Sequence, residues 1–277
     1  RQGQMCIRDS FYRFGAGGIL LGLVFVFRLK DSPEPIAVGK APAAVSLLEA
    51  LGVVFRVPSA LMVAIGLTAI VFVNNGFIVW GPEFLREKQD LSLKLAGGYS
   101  MFWHHLPALI GITVAGPLSD RWALRRPAAR LELQAVAMAL GVPSIVLMAM
   151  APNLTIACIG LAAFGFFRGV YESNTHAAMF QVVTPRYRAS AVAISVMIAF
   201  LIGSASPWFL GKCRDWFSAT SLPALDQYPQ WSDACRGLSY GFAVMALAYL
   251  IGAVAIAAAR FFFFHRDPIT EPELETK

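Results

Sequence analysis

Seven stretches of about 20 mostly apolar residues follow one another along the chain, and this repetition limits the possible folds more than any other feature. A helix needs about 20 apolar residues to cross a membrane, because each residue adds about 1.5 Å and the hydrocarbon layer is about 30 Å thick. The predicted spans are residues 11–27, 59–80, 96–118, 131–151, 155–182, 189–210 and 238–260. The sequence therefore predicts an all-α protein that crosses a membrane several times.

The composition agrees with a lipid environment. Hydrophobic residues make up 57% of the 277 residues and charged residues only 14%, whereas soluble domains have about 25% charged residues. The net charge of +6 comes from basic residues that are clustered between the apolar stretches. This pattern is typical of cytoplasmic loops of membrane proteins rather than of a nucleic-acid surface. We therefore expect the lipid bilayer, and no nucleic acid, as a partner.

The basic residues also predict an orientation, because cytoplasmic loops are rich in Lys and Arg. Connections after the first, third, fifth and seventh spans all lie on one side. They carry Arg28, Lys30, Lys40, Arg56, Arg121, Arg125, Arg126, Arg130, Arg186, Arg188, Arg260 and Arg266. We take this side as cytoplasmic, which places the C-terminus in the cytoplasm of a cell whose inner membrane holds the protein.

The chain divides into five predicted segments. The polar stretch before the first span is expected to be a non-native fragment end, so that the chain is expected to be truncated. The segment after the first span is expected to be a cytoplasmic linker with an interfacial helix, and the C-terminal tail is expected to be disordered. The boundaries are 1–10 for the fragment end, 11–30 for the first span, 31–57 for the linker, 58–264 for the main bundle and 265–277 for the tail.

A loop motif follows the third predicted span. Residues 116–122 read Gly-Pro-Leu-Ser-Asp-Arg-Trp, and two further arginines come shortly after. The stretch resembles the loop motif of the major facilitator superfamily, Gly-x-Leu-x-Asp-Arg with trailing basic residues. The glycine permits close helix contact, the acid can accept hydrogen bonds or pair with arginine, and the arginines mark the cytoplasmic edge. The residues of this conformational motif are Gly116, Asp120, Arg121, Arg125 and Arg126.

Two further stretches carry the same resemblance. Residues 183–191 look like the short cytoplasmic connection of organic-anion and sugar-phosphate members of the superfamily, and residues 80–85 resemble the start of a six-helix half. The resemblance implies a C-terminal bundle of six helices, built from two three-helix repeats, preceded by the end of one more helix. It also implies that the missing N-terminal half of the transporter is a partner.

The fifth span carries ionisable residues at helical spacing. Arg168, Glu172 and His176 occur at i, i+4 and i+8, which would place them on one face of a continuous helix. Charges are costly in lipid, so this face is expected to point inward. By the resemblance, Arg168 would bind an anionic substrate and Glu172 would carry a proton. The alternative is an Arg–Glu pair that only locks the bundle, and His176 is not expected to act.

The second span contains two amides followed by glycine, Asn74, Asn75 and Gly76, which we interpret as a break in the helix that lines a substrate cavity. Trp80 would supply a stacking surface nearby. The alternative is that the two amides only form hydrogen bonds with neighbouring helices.

The third span contains two adjacent histidines, His104 and His105. Neighbouring side chains point about 100° apart on a helix, so the two do not suit one metal ion. His104 is the candidate for a proton relay, and an interhelical hydrogen bond is the alternative. No metal and no cofactor are expected.

Two of the four cysteines, Cys213 and Cys235, bracket a long loop on the side opposite to the arginines. An oxidising exterior would permit a disulfide between them, and free buried thiols are the alternative.

The function implied by the resemblance is secondary active transport of a small solute by alternating access, with proton-coupled uptake of an organic anion as the specific expectation. Efflux by the same fold and a receptor that binds without transport are the alternatives. An enzyme is not expected, because the spans contain no paired carboxylates, no His–Glu metal array and no nucleophile with its base.

Overall fold

The computed structural model describes residues 2–28, 46–218, 231–264 and 266, which belong to two separate units, 1–43 and 44–277. The first unit contains helix α1, Gln2–Arg28. Its part from Phe11 to Arg28 is long and apolar enough to span a membrane. Residues 2–10 continue the same helix, and their non-native origin stays a prediction.

The second unit is helical throughout its described part. The helices are α2 (Leu47–Arg56), α3 (Pro58–Gln89), α4 (Leu93–Ala123), α5 (Ala129–Met150), α6 (Leu154–Glu172), α7 (Thr175–Val182), α8 (Arg188–Gly203), α9 (Ser206–Ser218) and α10 (Asp233–Ala258). A 3₁₀ turn, Pro185–Tyr187, precedes α8, and a π-helical turn, Ala259–Phe263, follows α10. The predicted linker is described from residue 46 onward and the predicted tail only at residue 266, so the rest of both lies outside the described residues.

Short polar residues set several helix ends. Asp90 ends α3 in a left-handed conformation with φ of 49°. The side chains of Ser92, Asn153 and Ser232 each accept a hydrogen bond from a backbone amide three residues later and so begin α4, α6 and α10. Ser, Asn and Asp are favoured at these positions because their side chains satisfy amides that the first turn leaves free.

Five segments of the second unit are long and apolar enough to cross a membrane, and they correspond to predicted spans. Helix α4 has 31 residues where the third span is predicted, but it is not among these five segments because its mean hydropathy is too low. His104 and His105 in its middle are the main reason, since two imidazoles offset several apolar residues. Together with α4 these segments form the predicted all-α bundle.

Two of the predicted spans are broken into two helices. The fifth span is interrupted at Ser173 and Asn174, between α6 and α7, where the Asn174 side chain donates to the Ser173 hydroxyl at 2.8 Å. The sixth span is interrupted after Gly203, and Pro207 lies in the first turn of α9. Proline is favoured in the first turn of a helix because it has no amide hydrogen that would be left unpaired there.

The predicted break at residues 74–76 is wrong, because α3 is continuous from Pro58 to Gln89. A side chain at Gly76 would collide with Met245 and with the hydroxyl of Ser206. The glycine therefore lets two other helices approach α3, and it does not interrupt the helix. The amides of Asn74 and Asn75 remain available to neighbouring side chains.

The loops near residues 116–130 and 183–188 lie at the same end of the second unit, as the span order predicts. The Gln181 side chain donates to the backbone oxygen of Pro127 at 3.0 Å. Arg260, after α10, donates to Glu132, at the start of α5, at 2.7 Å. We call this end the arginine-rich end. Helix α2 packs near it, with Ala50 and Val54 buried.

Candidate functional site

Arg168 is the centre of a polar cluster inside the second unit. Its side chain, on α6, is buried with 8% exposure. Nη1 donates to the Asn74 side-chain oxygen on α3 at 2.5 Å and lies 3.2 Å from Nε2 of His104 on α4. Nη2 lies 3.4 Å from a carboxylate oxygen of Glu172. The structure thus brings together four of the predicted site residues from three helices.

Glycines on α6 make this meeting of helices possible. A side chain at Gly165 would collide with the backbone carbonyl of His104, and one at Gly169 with that of Ala108. The backbones of α4 and α6 therefore touch, as small residues allow at membrane helix crossings. Because Gly165 and Gly169 flank Arg168 along α6, the guanidinium is held beside the His104 ring.

The chemistry of arginine fixes how its partners are oriented. A guanidinium only donates hydrogen bonds, so Asn74 presents its oxygen to Arg168, and the 3.2 Å contact with His104 is a hydrogen bond in the tautomer whose Nε2 is unprotonated. His104 is fully buried between the rings of Phe77 and Phe164, whose centroids lie 4.5 and 4.8 Å away. Its Nδ1 has no hydrogen-bond partner among the described residues.

A cavity of about 410 Å³ opens beside this cluster. Its polar lining comes from Asn74, Asn75, Glu172, Thr175 and His176. The Glu172 side chain is 37% exposed, so this carboxylate faces the cavity while Arg168 lies behind it. A solute in the cavity would reach the guanidinium past Glu172 and Asn74.

His176 also lines this cavity, but it does so from a different helix than the sequence predicted. The prediction placed it on one continuous helix face with Arg168 and Glu172, but the helix ends at Glu172 and His176 belongs to α7. The turn at residues 173–174 still leaves His176 exposed at the cavity wall.

Comparison with known proteins identifies the family. The family model described as Major Facilitator Superfamily matches residues 7–207, which is more than half of the chain. The chain belongs to the major facilitator superfamily.

Relatives within this superfamily are distant in sequence. "Protein spinster homolog 1" of Xenopus tropicalis is 23% identical over 265 residues, which cover 88% of this chain and 49% of that protein. An "MFS-type efflux pump" of Mycolicibacterium smegmatis is 26% identical over 161 residues, 58% of this chain and 37% of that protein. The chain therefore spans half or less of the length of these relatives.

Solved structures show the same fold. The crystal structure of a bacterial homologue of the human lysosomal transporter Spinster, inward-facing and unoccupied, superposes with a TM-score of 0.69 at 22% identity. It covers 92% of this chain, and this chain covers 59% of it. The occupied inward-facing form gives a TM-score of 0.58 over 88% of this chain and 56% of that one, also at 22% identity. The chain is thus a multi-pass membrane protein of this superfamily, and its more specific organic-anion or sugar-phosphate branch stays a prediction.

The loop motif of the superfamily is held by an arginine outside the predicted set. Asp120 pairs with Arg130 at 2.7 Å, and not with Arg121, Arg125 or Arg126, whose side chains are exposed. The expected close helix contact at Gly116 is not made, because a side chain there would meet nothing within 4 Å in the described part of the chain.

Trp80 lies away from the cavity. Its indole nitrogen donates to the backbone oxygen of Pro207 at 2.9 Å, and the Arg214 guanidinium lies 5.5 Å from its ring. It is not among the residues that line the cavity in the described part of the protein. A substrate-stacking role for Trp80 stays a prediction.

The predicted disulfide between Cys213 and Cys235 is wrong, because both thiols are free and buried. The Cys213 Cβ lies 3.2 Å from where a Cβ at Gly241 would be. Gly241 follows Cys235 by six residues, which is about 9 Å along a helix. A disulfide requires Cα atoms within about 7 Å, so the two cysteines lie at different levels of the α9–α10 contact.

Lys88 is a buried cation that the sequence analysis did not single out. It is 6% exposed at the end of α3. Its Nζ donates to the backbone oxygen of Ala149, lies 3.5 Å from the Ser239 hydroxyl and sits 4.1 Å from the centre of the Trp231 ring. These partners come from α5, from α10 and from the residue shortly before α10, far away in sequence, so no local pattern could indicate them.

Proposed function

We propose that this chain serves secondary active transport of a small organic anion across a membrane by alternating access, together with an N-terminal half of the same transporter. The superfamily supports transport, and the share of its relatives that the chain spans supports a two-half protein. The protein would lie in the inner membrane of a cell. Its arginine-rich end would face the cytoplasm, in keeping with the positive-inside rule.

The buried guanidinium of Arg168 is the observation that carries this proposal. An ionised side chain inside a membrane protein is costly and usually serves a function. Two of the contacts of Arg168, with Asn74 and His104, are to neutral acceptors, and its single carboxylate partner among the described residues is partly exposed to the cavity. The positive charge is therefore only partly compensated. An anion that enters the cavity would gain a charge-assisted contact with the guanidinium.

Glu172 is the candidate proton carrier of this mechanism. It faces the cavity and lies within ion-pair distance of Arg168. When the Glu172 carboxylate takes up a proton, it loses its charge and its attraction for the Arg168 guanidinium weakens. An anion can then replace Glu172 as the partner of Arg168. Proton and anion would then move together, which corresponds to uptake driven by a proton gradient.

Efflux is the second candidate, because one relative is named as an efflux pump. The two candidates differ in the direction of coupling. In uptake an inward proton gradient accumulates the anion, whereas in efflux the same gradient expels it.

The binding part is tested on the purified chain in detergent, with gluconate and glucose 6-phosphate as probes in isothermal titration calorimetry. We expect binding by the unmodified chain and at least a tenfold loss in Arg168→Gln. Arg214→Gln is the matched control, since Arg214 lies over Trp80 and outside the cavity lining. Equal binding by the unmodified chain and Arg168→Gln would contradict the proposal.

The transport part needs both halves reconstituted in proteoliposomes. Counterflow of the labelled anion, which requires translocation, would separate a transporter from a protein that only binds. Arg168→Ala is expected to abolish it. The sign of accumulation under an imposed pH gradient then separates uptake from efflux.

A further inference from the structure

We propose that His104 displaces Arg168 when it takes up a proton: the imidazolium replaces the guanidinium at the Asn74 side-chain oxygen, and the released guanidinium becomes available to an anion in the cavity. The consequence for anion binding rests on the function proposed above. The exchange of His104 and Arg168 at the Asn74 oxygen does not depend on that function.

The first step is a triangle of three polar atoms. Arg168 Nη1 lies 2.5 Å from Asn74 Oδ1 and 3.2 Å from His104 Nε2, and these two acceptors are 3.1 Å apart. Two acceptors repel each other at this distance unless a donor lies between them. The two hydrogens of Nη1 provide that donor, one for each acceptor. With Nη1 donating to both acceptors, His104 is in the neutral tautomer that leaves Nε2 unprotonated.

The second step is what a proton does to this triangle. The proton binds to the Nε2 lone pair, which until then accepts from Arg168. The new N–H lies along the direction of that lone pair, and Asn74 Oδ1, 3.1 Å from Nε2, is the acceptor within hydrogen-bond distance. Arg168 Nη1 then loses one acceptor and faces a second positive charge 3.2 Å away. The protonated imidazole and the guanidinium cannot both keep their places around Asn74.

The third step is the direction in which Arg168 moves. On one side its helix is held against α4, because Gly165 and Gly169 touch the backbone of that helix. On the other side Nη2 already lies 3.4 Å from Glu172, which faces the cavity. The guanidinium is therefore expected to shift toward Glu172 and the cavity. Protonation of His104 would thus strengthen anion binding, and by linkage anion binding would favour protonation.

The surroundings leave few other groups that could produce this behaviour. On α3 the cluster is faced by Asn74 and Phe77. Helix α6 adds Glu172 and Phe164 beside Arg168, and helix α10 adds Tyr249, whose ring packs on Phe164 at 5.5 Å. On α4 the ring of His105 lies 5.0 Å from that of His104. Glu172, His105 and the cavity-lining His176 are therefore the ionisable side chains that the experiment has to separate from His104.

The exchange itself is tested without any ligand. Imidazole ¹⁵N shifts of the labelled chain in detergent report the protonation of each histidine, and His105→Gln assigns the pair. We expect His104 to protonate at least one pH unit higher in Arg168→Gln, since the competing cation is gone, and lower in Asn74→Leu, since the acceptor for the imidazolium is gone. A His104 titration that is unchanged in Arg168→Gln would overturn the proposal.

The coupling to anion binding is tested with gluconate and glucose 6-phosphate between pH 5.5 and 7.5. The unmodified chain should bind about fivefold or more tightly at pH 5.5, in the range of ordinary linkage between sites. Glu172 is the proposed proton carrier and also contributes to this pH dependence, so the contribution of His104 is the difference between Glu172→Gln and the double variant Glu172→Gln/His104→Phe. His104→Phe keeps a buried aromatic ring and should remove that contribution, whereas His105→Gln should not. Calorimetry in two buffers should show about one proton fewer taken up per anion in the double variant than in Glu172→Gln.

The outcomes separate the two proposals. A pH dependence that is as large in Glu172→Gln/His104→Phe as in Glu172→Gln rejects the role of His104 in anion binding. If no anion binds at any pH, the proposed function fails, while the histidine titration still decides whether His104 and Arg168 exchange places.

Discussion

Two cations, Arg168 and Lys88, are buried in the described part of the second unit, and their surroundings are different. Arg168 contacts two neutral side chains and one carboxylate, and that carboxylate opens onto a cavity. Lys88 contacts a backbone oxygen and a hydroxyl, and its ammonium lies over the rings of Trp231 and Phe84, at 4.1 and 4.7 Å. No carboxylate pairs with Lys88 in the described part of the chain.

This difference indicates which cation is available for function. The contacts of Lys88 come from three elements, and each would be lost if the ammonium turned outward. Arg168 instead has a partner, Glu172, that can be protonated or replaced by an anion from the cavity. We infer that Lys88 ties α3, α5 and α10 together, whereas Arg168 is held in a position from which it can be released.

The largest effect that this comparison predicts is a loss of stability in Lys88→Ala. The substitution removes the hydrogen bond and the ring contacts and leaves a space, and truncations of buried side chains cost about 2–5 kcal/mol. We expect about 3 kcal/mol in an SDS titration of the purified chain, with anion binding unchanged. Lys88→Met keeps the aliphatic stem and avoids burying a charge, so it should cost about 1 kcal/mol.

Lys94→Ala is the control for this prediction, because Lys94 is exposed at the start of α4 and surface changes usually stay within about 0.5 kcal/mol. If Lys88→Ala were as harmless as Lys94→Ala, Lys88 would not tie the three helices together.

The second effect concerns the helix contact that positions Arg168. In Gly169→Ala the new methyl group would collide with the Ala108 carbonyl, and such overpacking costs about 1–3 kcal/mol. We expect a loss near 2 kcal/mol together with at least a tenfold loss of gluconate affinity, because α4 carries His104 away from Arg168. Gly97→Ala on α4 meets nothing within 4 Å and should change neither quantity. Intact binding in Gly169→Ala would show that the site does not depend on this crossing.

Much of the architecture could be predicted from the sequence, because its signals are local. Apolar stretches gave the helices, and the four-residue spacing of Arg168 and Glu172 gave their ion pair. A run of 32 helical residues tolerates two amides, however, so the amides of residues 74 and 75 did not mean a break. The interruption at Ser173 and Asn174 was also missed, since small polar residues occur in continuous helices as well.

The composition of the site depends on contacts that are remote in sequence. Asn74 and Arg168 are 94 residues apart, and His104 and Arg168 are 64 apart. The contacts of Lys88 with Ala149 and Ser239 span 61 and 151 residues. A single sequence shows which side chains can act, but the helix packing decides which of them meet. For this reason Lys88 was not singled out from the sequence, whereas Arg168 was.

The smallest expected effect is the change in stability when Arg168 is replaced. Arg168→Met should cost under about 1 kcal/mol of stability, although Arg168 is nearly as buried as Lys88. Once the guanidinium is gone, His104 can carry its proton on Nε2 and donate to Asn74, which lies 3.1 Å away, so no buried acceptor is left unpaired. Glu172 is partly exposed and can be solvated in the cavity. The same SDS titration measures the change. A loss as large as that of Lys88→Ala would mean that Arg168 is a fixed structural cation, since a group held for release should be removable without unfolding its surroundings.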